Sequence, residues 1–522
     1  DLHSFPTRRS SDLFLDWNFF ATAFFALFGM LVFCLIPYAY VFLVERWSVG
    51  FGALRATELF LGALVIAPLA FSQGLLLPCV VFSASSGAGD EPAALGKLFA
   101  ANTLGCIVGA AAAALVFIPW VGIQATLFVG AALALLLFLL GAQRHEVPLR
   151  AGFAALCVAL ALGIRSGWDR SVLASGVYKY AVGEILSGNR DVRLDLGSLE
   201  FFKEGLSSTV AVISASDDLL LSVDGKVDAS MKGDLSTQTL LGALPMSFAQ
   251  DPKEVLVIGL ASGVTSGAAL LFDAARVTTV EIEPAVARAQ EYFTEINHDP
   301  LRDPRHRLLL DDARSFLKNT TDRFDVITSE PSNPWMSGVA SLFTREFFSL
   351  ARSRMSADGV MCQWLPIYGM SDDLVFSIMR TFSSVFPEVD VFESVEGCVL
   401  LMLGSATPLR MDPEAVGHRW TPRARAALEK IRIETPEDLI GTYLLSTPFD
   451  FPKPARMNTD DFGWVEYHAP KTLHLRTSPM NHAALLGMSA GLDAVLPSGI
   501  DPARREAIRK KVSSRGDRVI LE

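Results

Sequence analysis

Three long stretches near the start of the chain carry no charge: none of the residues between Asp16 and Glu45, between Glu58 and Asp90, or between Lys97 and Arg144 is ionisable to a charge at neutral pH. A helical span needs about 20 apolar residues, so each stretch is long enough to cross a bilayer. Inside lipid the backbone must satisfy itself, which restricts such stretches to helices. Phe19 to Val44 and Leu59 to Phe82 read as one span each. Leu98 to Gln143 is long enough for two, broken at Pro119-Trp120-Val121-Gly122, where proline lacks an amide donor and glycine permits a turn. A fifth segment, Ala151 to Ile164, is short and spans only if Arg150 and Arg165 snorkel. Gly105-x-x-x-Gly109, followed by Ala110 to Ala114, predicts close helix packing, and Asn102 a hydrogen bond to a neighbouring helix.

The remainder of the 522 residues reads as ordinary soluble protein. The net charge of −11 argues against nucleic acid as a partner, since a basic face is needed to neutralise phosphates. Cys34, Cys79, Cys106, Cys157, Cys362 and Cys398 form no Cys-x-x-Cys, and no His pair has metal-ligand spacing, so neither disulfide nor metal is expected. Asp1 to Leu13 differs in character from the rest of the chain and reads as a non-native leader. Arg46, Arg55, Arg165 and Arg170 fall on one side of the spans and Lys97, Arg144 and Arg150 on the other, which favours a cytoplasmic soluble part.

Within that part, Glu254 to Gly267 is an apolar strand running into a glycine-bearing turn and a helix of small residues. A buried parallel strand has this composition, and Gly259 and Gly263 let the main chain approach a ligand at the strand's carboxyl end. A second apolar strand, Val277 to Val280, ends in Glu281, where an acidic side chain can accept both hydroxyls of a ribose. Glu283, two residues on and beside Pro284, reads as an exposed neighbour. A third strand, Arg307 to Leu310, ends in Asp311-Asp312, and a fourth, Phe324 to Ser329, in Glu330-Pro331-Ser332-Asn333-Pro334. With helical segments between and further strands at Val360 to Leu365, Val389 to Phe392 and Val399 to Leu403, the series predicts a parallel, doubly wound, Rossmann-like sheet of seven strands. The turn lacks the closely spaced glycines of Gly-x-Gly-x-x-Gly, and acids end three successive strands. A nucleoside sulfonium therefore fits better than a dinucleotide.

These residues resemble the spermidine synthase family, polyamine aminopropyltransferases on the class I methyltransferase fold, and in particular its membrane-fused bacterial members. The resemblance covers roughly Ser175 to Pro470. Glu204 to Val210, Asp224 to Ser230, Asp234 to Gln238 and Leu244-Pro245 look like the family's small N-terminal β domain and first helix. Asn333-Pro334-Trp335 and Ser341 to Phe348 are similar to its gatekeeping loop and following helix; Asn458 to Asp461 and Glu466 to Pro470 look like the closing segment of the membrane-fused group. By resemblance, Gly259, Ser262 and Gly263 form the cofactor turn, Glu281 holds ribose, Asp312 holds adenine, and Glu330 takes the place of the catalytic aspartate. Family aspartates stand where this chain has Ser262 and Asn333, and a Tyr-His is absent from Ser236 to Thr239, so a diamine should bind poorly unless Asp228, Asp234, Gln238 or Trp335 compensates.

The residues and the resemblance together give this organisation: a leader (1–13), a transmembrane region of four to five helices (14–166), a small β domain with the first helix (167–245), a nucleoside-binding domain (246–404), and a C-terminal helical segment and tail (405–522). It further implies S-adenosylmethionine or its decarboxylated form as co-substrate, an amine acceptor, and a multi-pass protein of the bacterial inner membrane in contact with lipid. A homo-oligomer is left open. The leading reading is aminopropyl transfer. A methyltransferase of the same fold and a non-catalytic nucleoside-sensing or transport-associated protein are the alternatives, the last disfavoured by the charge-free spans.

Overall fold

A computed structural model describes residues 8–46, 50–85, 91–143, 146–186, 197–215, 217–488, 495–497 and 499–513. Most of the expected leader, residues 1–7, lies outside the described residues, and Arg8 to Leu13 continue into the first helix. By internal contacts the chain divides into two units, residues 1–211 with 224–226, and residues 212–223 with 227–522.

The first unit is built on long apolar helices: α1 (Arg8–Arg46), α2 (Phe51–Ser85), α3 (Glu91–Ala112), α4 (Ile118–Leu140) and α5 (Val147–Gly167). Four stretches among the described residues are long and apolar enough to cross a membrane, one of them the 46-residue run Leu95–Leu140. That run is broken as its sequence predicts, because Gly122 takes φ 88° and ψ 167°. The freed amide of Ile123, one residue later, donates to Glu204 Oε2 at 2.7 Å. A polar seam joins α1 to α2: Asn18 Nδ2 donates to Ser72 O at 2.9 Å, and the Thr22 and Ser72 hydroxyls lie 2.9 Å apart.

Arg150 is 2% exposed and bonded to Asp16 at 2.8 Å, Glu146 at 2.7 Å and the Phe138 carbonyl at 2.6 Å. A guanidinium with two carboxylates and a carbonyl loses less by burial than a lone one. Gly105 and Gly109 pack against nothing: a methyl group added at either would meet no atom within 4 Å, and Asn102 is exposed. The small-residue face of α3 has no partner helix among the described residues.

A four-stranded sheet comes next, in order β1 (Ser198–Glu204), β2 (Thr209–Ala215), β3 (Asp218–Val223) and β4 (Lys226–Ser230). Asp224 and Gly225 join β3 to β4 with φ 49° and 79°, the conformation a two-residue hairpin needs at both central positions.

The large sheet has eight strands rather than seven and is mixed rather than parallel. Its order is β12-β10-β11-β9-β8-β5-β6-β7, with β5 Glu254–Ile258, β6 Arg276–Glu281, β7 His306–Leu310, β8 Phe324–Ser329, β9 Met355–Pro366, β10 Glu388–Val395, β11 Val399–Ser405 and β12 Tyr443–Ser446. Strands β5 to β9 are parallel; β10 and β11 form an antiparallel hairpin, and β12 pairs antiparallel with β10. Both faces are covered, because alternate residues enter different cores: Val255 and Val257 pack on one side, Leu256 and Ile258 on the other. The helix Leu235–Phe248 lies in the first of these cores, and Gly242 lets it approach so closely that a methyl group there would sit 2.4 Å from the Thr265 carbonyl.

Close approach also fixes the helix after β5. A methyl group at Gly267 would lie 1.8 Å from the Asn297 carbonyl oxygen. Gly267→Ala is therefore expected to lower stability by about 1–3 kcal/mol through overpacking, whereas Gly109→Ala should leave it within about 0.5 kcal/mol. Thermal unfolding of the full chain in detergent checks both.

Candidate active site

Parallel register brings the sequence-predicted residues to one edge of the sheet. Ile258 of β5 lies opposite Val280 of β6 and Ser329 of β8. The next residues along these three strands are Gly259, Glu281 and Glu330. Gly259 N donates to Val280 O at 2.9 Å, and Glu330 N to Ile258 O at 3.0 Å, so the ladder continues into the loops.

The turn after β5 depends on left-handed backbone. Gly259 has φ 93° and Gly263 φ 83°; a methyl group at Gly259 would stand 2.7 Å from the Glu330 carbonyl oxygen. Asn297, fully buried, clamps the turn by donating from Nδ2 to Ser262 O at 2.8 Å and to Gln290 Oε1 at 2.9 Å, and it accepts from Asp299 N. Sequence reading missed this clamp, since nothing in the spacing of Gln290 and Asn297 distinguishes them from other polar loop residues.

Glu281 is 8% exposed and spends one oxygen on Leu260 N and the other on Glu283 N, each at 2.9 Å. Burial pushes its carboxyl up and these amides oppose the shift. A carboxylate has about four lone-pair sites, so acceptor capacity remains beside the turn. Glu283 is not exposed: at 2% exposure it caps the helix Pro284–Ala289, accepting from Ala285 N at 2.9 Å. A cap turned into its own helix is shielded even past a strand end. Asp312 caps the helix Ala313–Asn319 through Oδ1, at 2.8 Å from Ser315 N.

Glu330 is the electrostatic centre. Thr265 Oγ1 donates to its Oε2 at 2.6 Å, and Gln238 also hydrogen-bonds it while accepting from Ser262 Oγ at 2.7 Å. Burial raises the Glu330 carboxyl, the two hydrogen bonds pull it down, and the charges of Asp234 and Asp228 push it up again, leaving it at about 7. Asp228 accepts from Ser332 Oγ at 2.7 Å, and Asp234 from Ser230 Oγ at 2.8 Å. Thr265 is a second residue the sequence reading passed over.

The remaining expected residues lie on the loop after β8. Asn333 is fully buried, with Nδ2 donating to Tyr368 Oη at 3.2 Å. Trp335 is buried edge-on to the same tyrosine, ring centroids 5.8 Å apart. His306 Nε2 lies 2.8 Å from Thr279 Oγ1 within the sheet.

Residues 235–395 match the model of the spermine/spermidine synthase domain. That segment of the chain is therefore similar to spermine and spermidine synthases. The chain is 26% identical over 206 residues to a polyamine aminopropyltransferase of Oceanobacillus iheyensis, covering 39% of this chain and 40% of that one. To a polyamine aminopropyltransferase of Corynebacterium efficiens it is 25% identical over 348 residues, 64% of each chain. The chain thus spans from two-fifths to under two-thirds of the length of these relatives. The crystal structure of spermidine synthase from Thermotoga maritima aligns at 20% identity and TM-score 0.36, covering 52% of this chain and 84% of that one. Elements of the candidate site from Gln238 to Trp335 all fall inside the matched domain, while Asp228 and Asp234 precede it.

The displaced carboxyl equilibrium predicts a stability effect with a definite sign. A carboxyl raised to about 7 contributes stability below its ordinary value and loses it as pH rises through 7. Glu330→Gln keeps an acceptor for Thr265 and Gln238 without the charge. At pH 8 it should therefore be more stable than the parent by about 1–3 kcal/mol, and the gap should close by about pH 4, below the ordinary carboxyl value, as thermal unfolding at the two pH values will show.

Proposed function

We propose that the chain is an aminopropyltransferase, using decarboxylated S-adenosylmethionine as donor and a primary amine as acceptor. The observation that carries the reading is a carboxylate, Glu330, that leaves β8 at the carboxyl edge of the sheet level with Gly259 and Glu281, is hydrogen-bonded by Thr265, and feels the charges of Asp234 and Asp228. The residues present fit the donor: left-handed glycines shape a turn with no side chain in the way, Glu281 has acceptor capacity beside it, and Asp312 leaves Oδ2 outside its cap. The long apolar helices of the first unit are read as membrane spans that hold the enzyme at a bilayer.

The donor supplies an aminopropyl carbon bonded to positively charged sulfur. Asp228 and Asp234 attract the protonated acceptor and, with Glu330, offset its charge. Glu330, ionised above about pH 7, takes the proton from the acceptor ammonium so that a lone pair is exposed. The amine nitrogen then bonds to the aminopropyl carbon, the carbon–sulfur pair leaves with sulfur as a neutral thioether, and the released proton is the one Glu330 holds. Thr265 and Gln238 fix the carboxylate's direction. Burial serves the chemistry here, since a carboxyl at the ordinary value near 4.5 would be a weaker base.

The test is transfer by the full chain in detergent, with diamines and monoamines offered and products read by mass spectrometry. An aminopropylated amine is expected, with kcat/KM rising through an apparent pKa near 7. Glu330→Gln should lose about 10²–10⁴-fold in kcat. Full turnover by that variant would reject Glu330 as the base, and absence of any aminopropylated product would reject the reaction.

A further inference from the structure

Two C-terminal motifs, Asn458 to Asp461 and Glu466 to Pro470, have no part in the transfer chemistry, yet they converge on the loop that carries Asn333 and Trp335. Within this loop a single tight turn, Val339–Phe343, comes after Gly338, whose φ is 82°. A turn so short leaves most of its amides and carbonyls without internal partners. Side chains from outside the loop supply them. Glu466 Oε1 accepts from Gly338 N at 3.0 Å. Asn458 Nδ2 donates to Phe343 O at 3.0 Å and Ala340 O at 3.4 Å, while its Oδ1 accepts from Val465 N and its own carbonyl from Arg345 N.

Asp460 joins this cradle to the donor side. It accepts from Nη1 and Nη2 of Arg314, and Arg314 Nη1 in turn donates to Ser341 O at 2.9 Å. Arg314 belongs to the helix that Asp312 caps. Asp460 also accepts from Thr344 Oγ1 at 2.8 Å, and its amide donates to Glu346 Oε2 at 2.9 Å. The Arg314 pairing holds the Asp460 carboxyl below the usual carboxylate range, so the bridge is charged at any pH where Glu330 could act. The same C-terminal region braces the next loop: Asn481 Nδ2 donates to Ile367 O at 2.7 Å and Met370 O at 2.8 Å, and Thr472 Oγ1 to Gly369 O at 3.1 Å. A methyl group at Gly369 would lie 3.4 Å from the Trp335 ring.

We propose that Asn458, Asp460 and Glu466 are positioning residues forming a latch that holds the Asn333–Phe343 loop in place before any ligand binds. The loop is then a built wall of the acceptor side and not a lid that orders on binding, and the Asp460–Arg314 pair couples its position to the donor-side helix. That it is the acceptor side rests on the transfer reading above; the latch itself does not. Ordering the loop in advance removes an entropic cost from substrate binding.

Hydrogen–deuterium exchange on the full chain in detergent, without ligand, tests the latch whether or not transfer occurs. Amides from Gly338 to Phe343 should exchange slowly in the parent and about tenfold faster in Glu466→Ala and in Asp460→Asn, as loss of a hydrogen bond to a charged group predicts. Strands β5 and β8 should be unchanged, and Glu466→Gln, which keeps an acceptor for Gly338 N, should restore slow exchange. Fast exchange of this turn in the parent would overturn the proposal. So would unchanged exchange in both variants, or a rise spread equally over β5 and β8. A latch that passes while no aminopropylated amine forms would leave the positioning role standing and remove only the transfer reading.

Discussion

The candidate site depends on one constraint, the level register of three parallel strands. Because Ile258, Val280 and Ser329 stand opposite one another, the next residue of each strand emerges at the same height. Those residues are a glycine and two glutamates. The glycine cannot be exchanged cheaply, since its φ is 93° and its neighbour's carbonyl leaves no room for a side chain. A slip by one residue would turn every side chain of a strand to the other face. The two buried cores on either side of the sheet prevent that slip, so packing remote from the edge fixes the geometry at it.

At that edge the chain gathers acids where most proteins would avoid them. Burial disfavours charge on Glu330 most, and Asp234 and Asp228 add to its effect. The hydrogen bonds from Thr265 and Gln238 oppose it only in part. On the transfer reading, the arrangement would trade stability above neutral pH for a base of useful strength there, as functional sites often do. On the same reading it would favour cations over anions.

Much of this was legible in the sequence because strands leave short-range signals. The apolar runs ending in Gly259, Glu281, Asp311-Asp312 and Glu330 stand out without any knowledge of pairing. Tyr443–Ser446 did not, as four residues are too few for a periodicity, and the antiparallel hairpin of β10 and β11 was unreadable because strand direction is set by tertiary packing. Side-chain partnerships were least visible. Asn297 acts across 35 residues on Ser262, Arg150 finds Asp16 across 134, and Glu283 turns inward to cap a helix that its sequence position placed in solvent. The small-residue stripe at Gly105 and Gly109 misled for the converse reason: composition announces a capacity for close packing, not a partner.

The central claim is that this edge receives a cationic nucleoside sulfonium lacking a carboxylate. Calorimetric titration of the full chain with S-adenosylmethionine and with its decarboxylated form tests it most directly, because the two ligands differ only by the group that the acids near Glu330 would repel. The account predicts that the decarboxylated form binds at least about tenfold more tightly, a difference of about 1.4 kcal/mol or more from like-charge repulsion. Equal affinity for both, or preference for the carboxylated ligand, would contradict it.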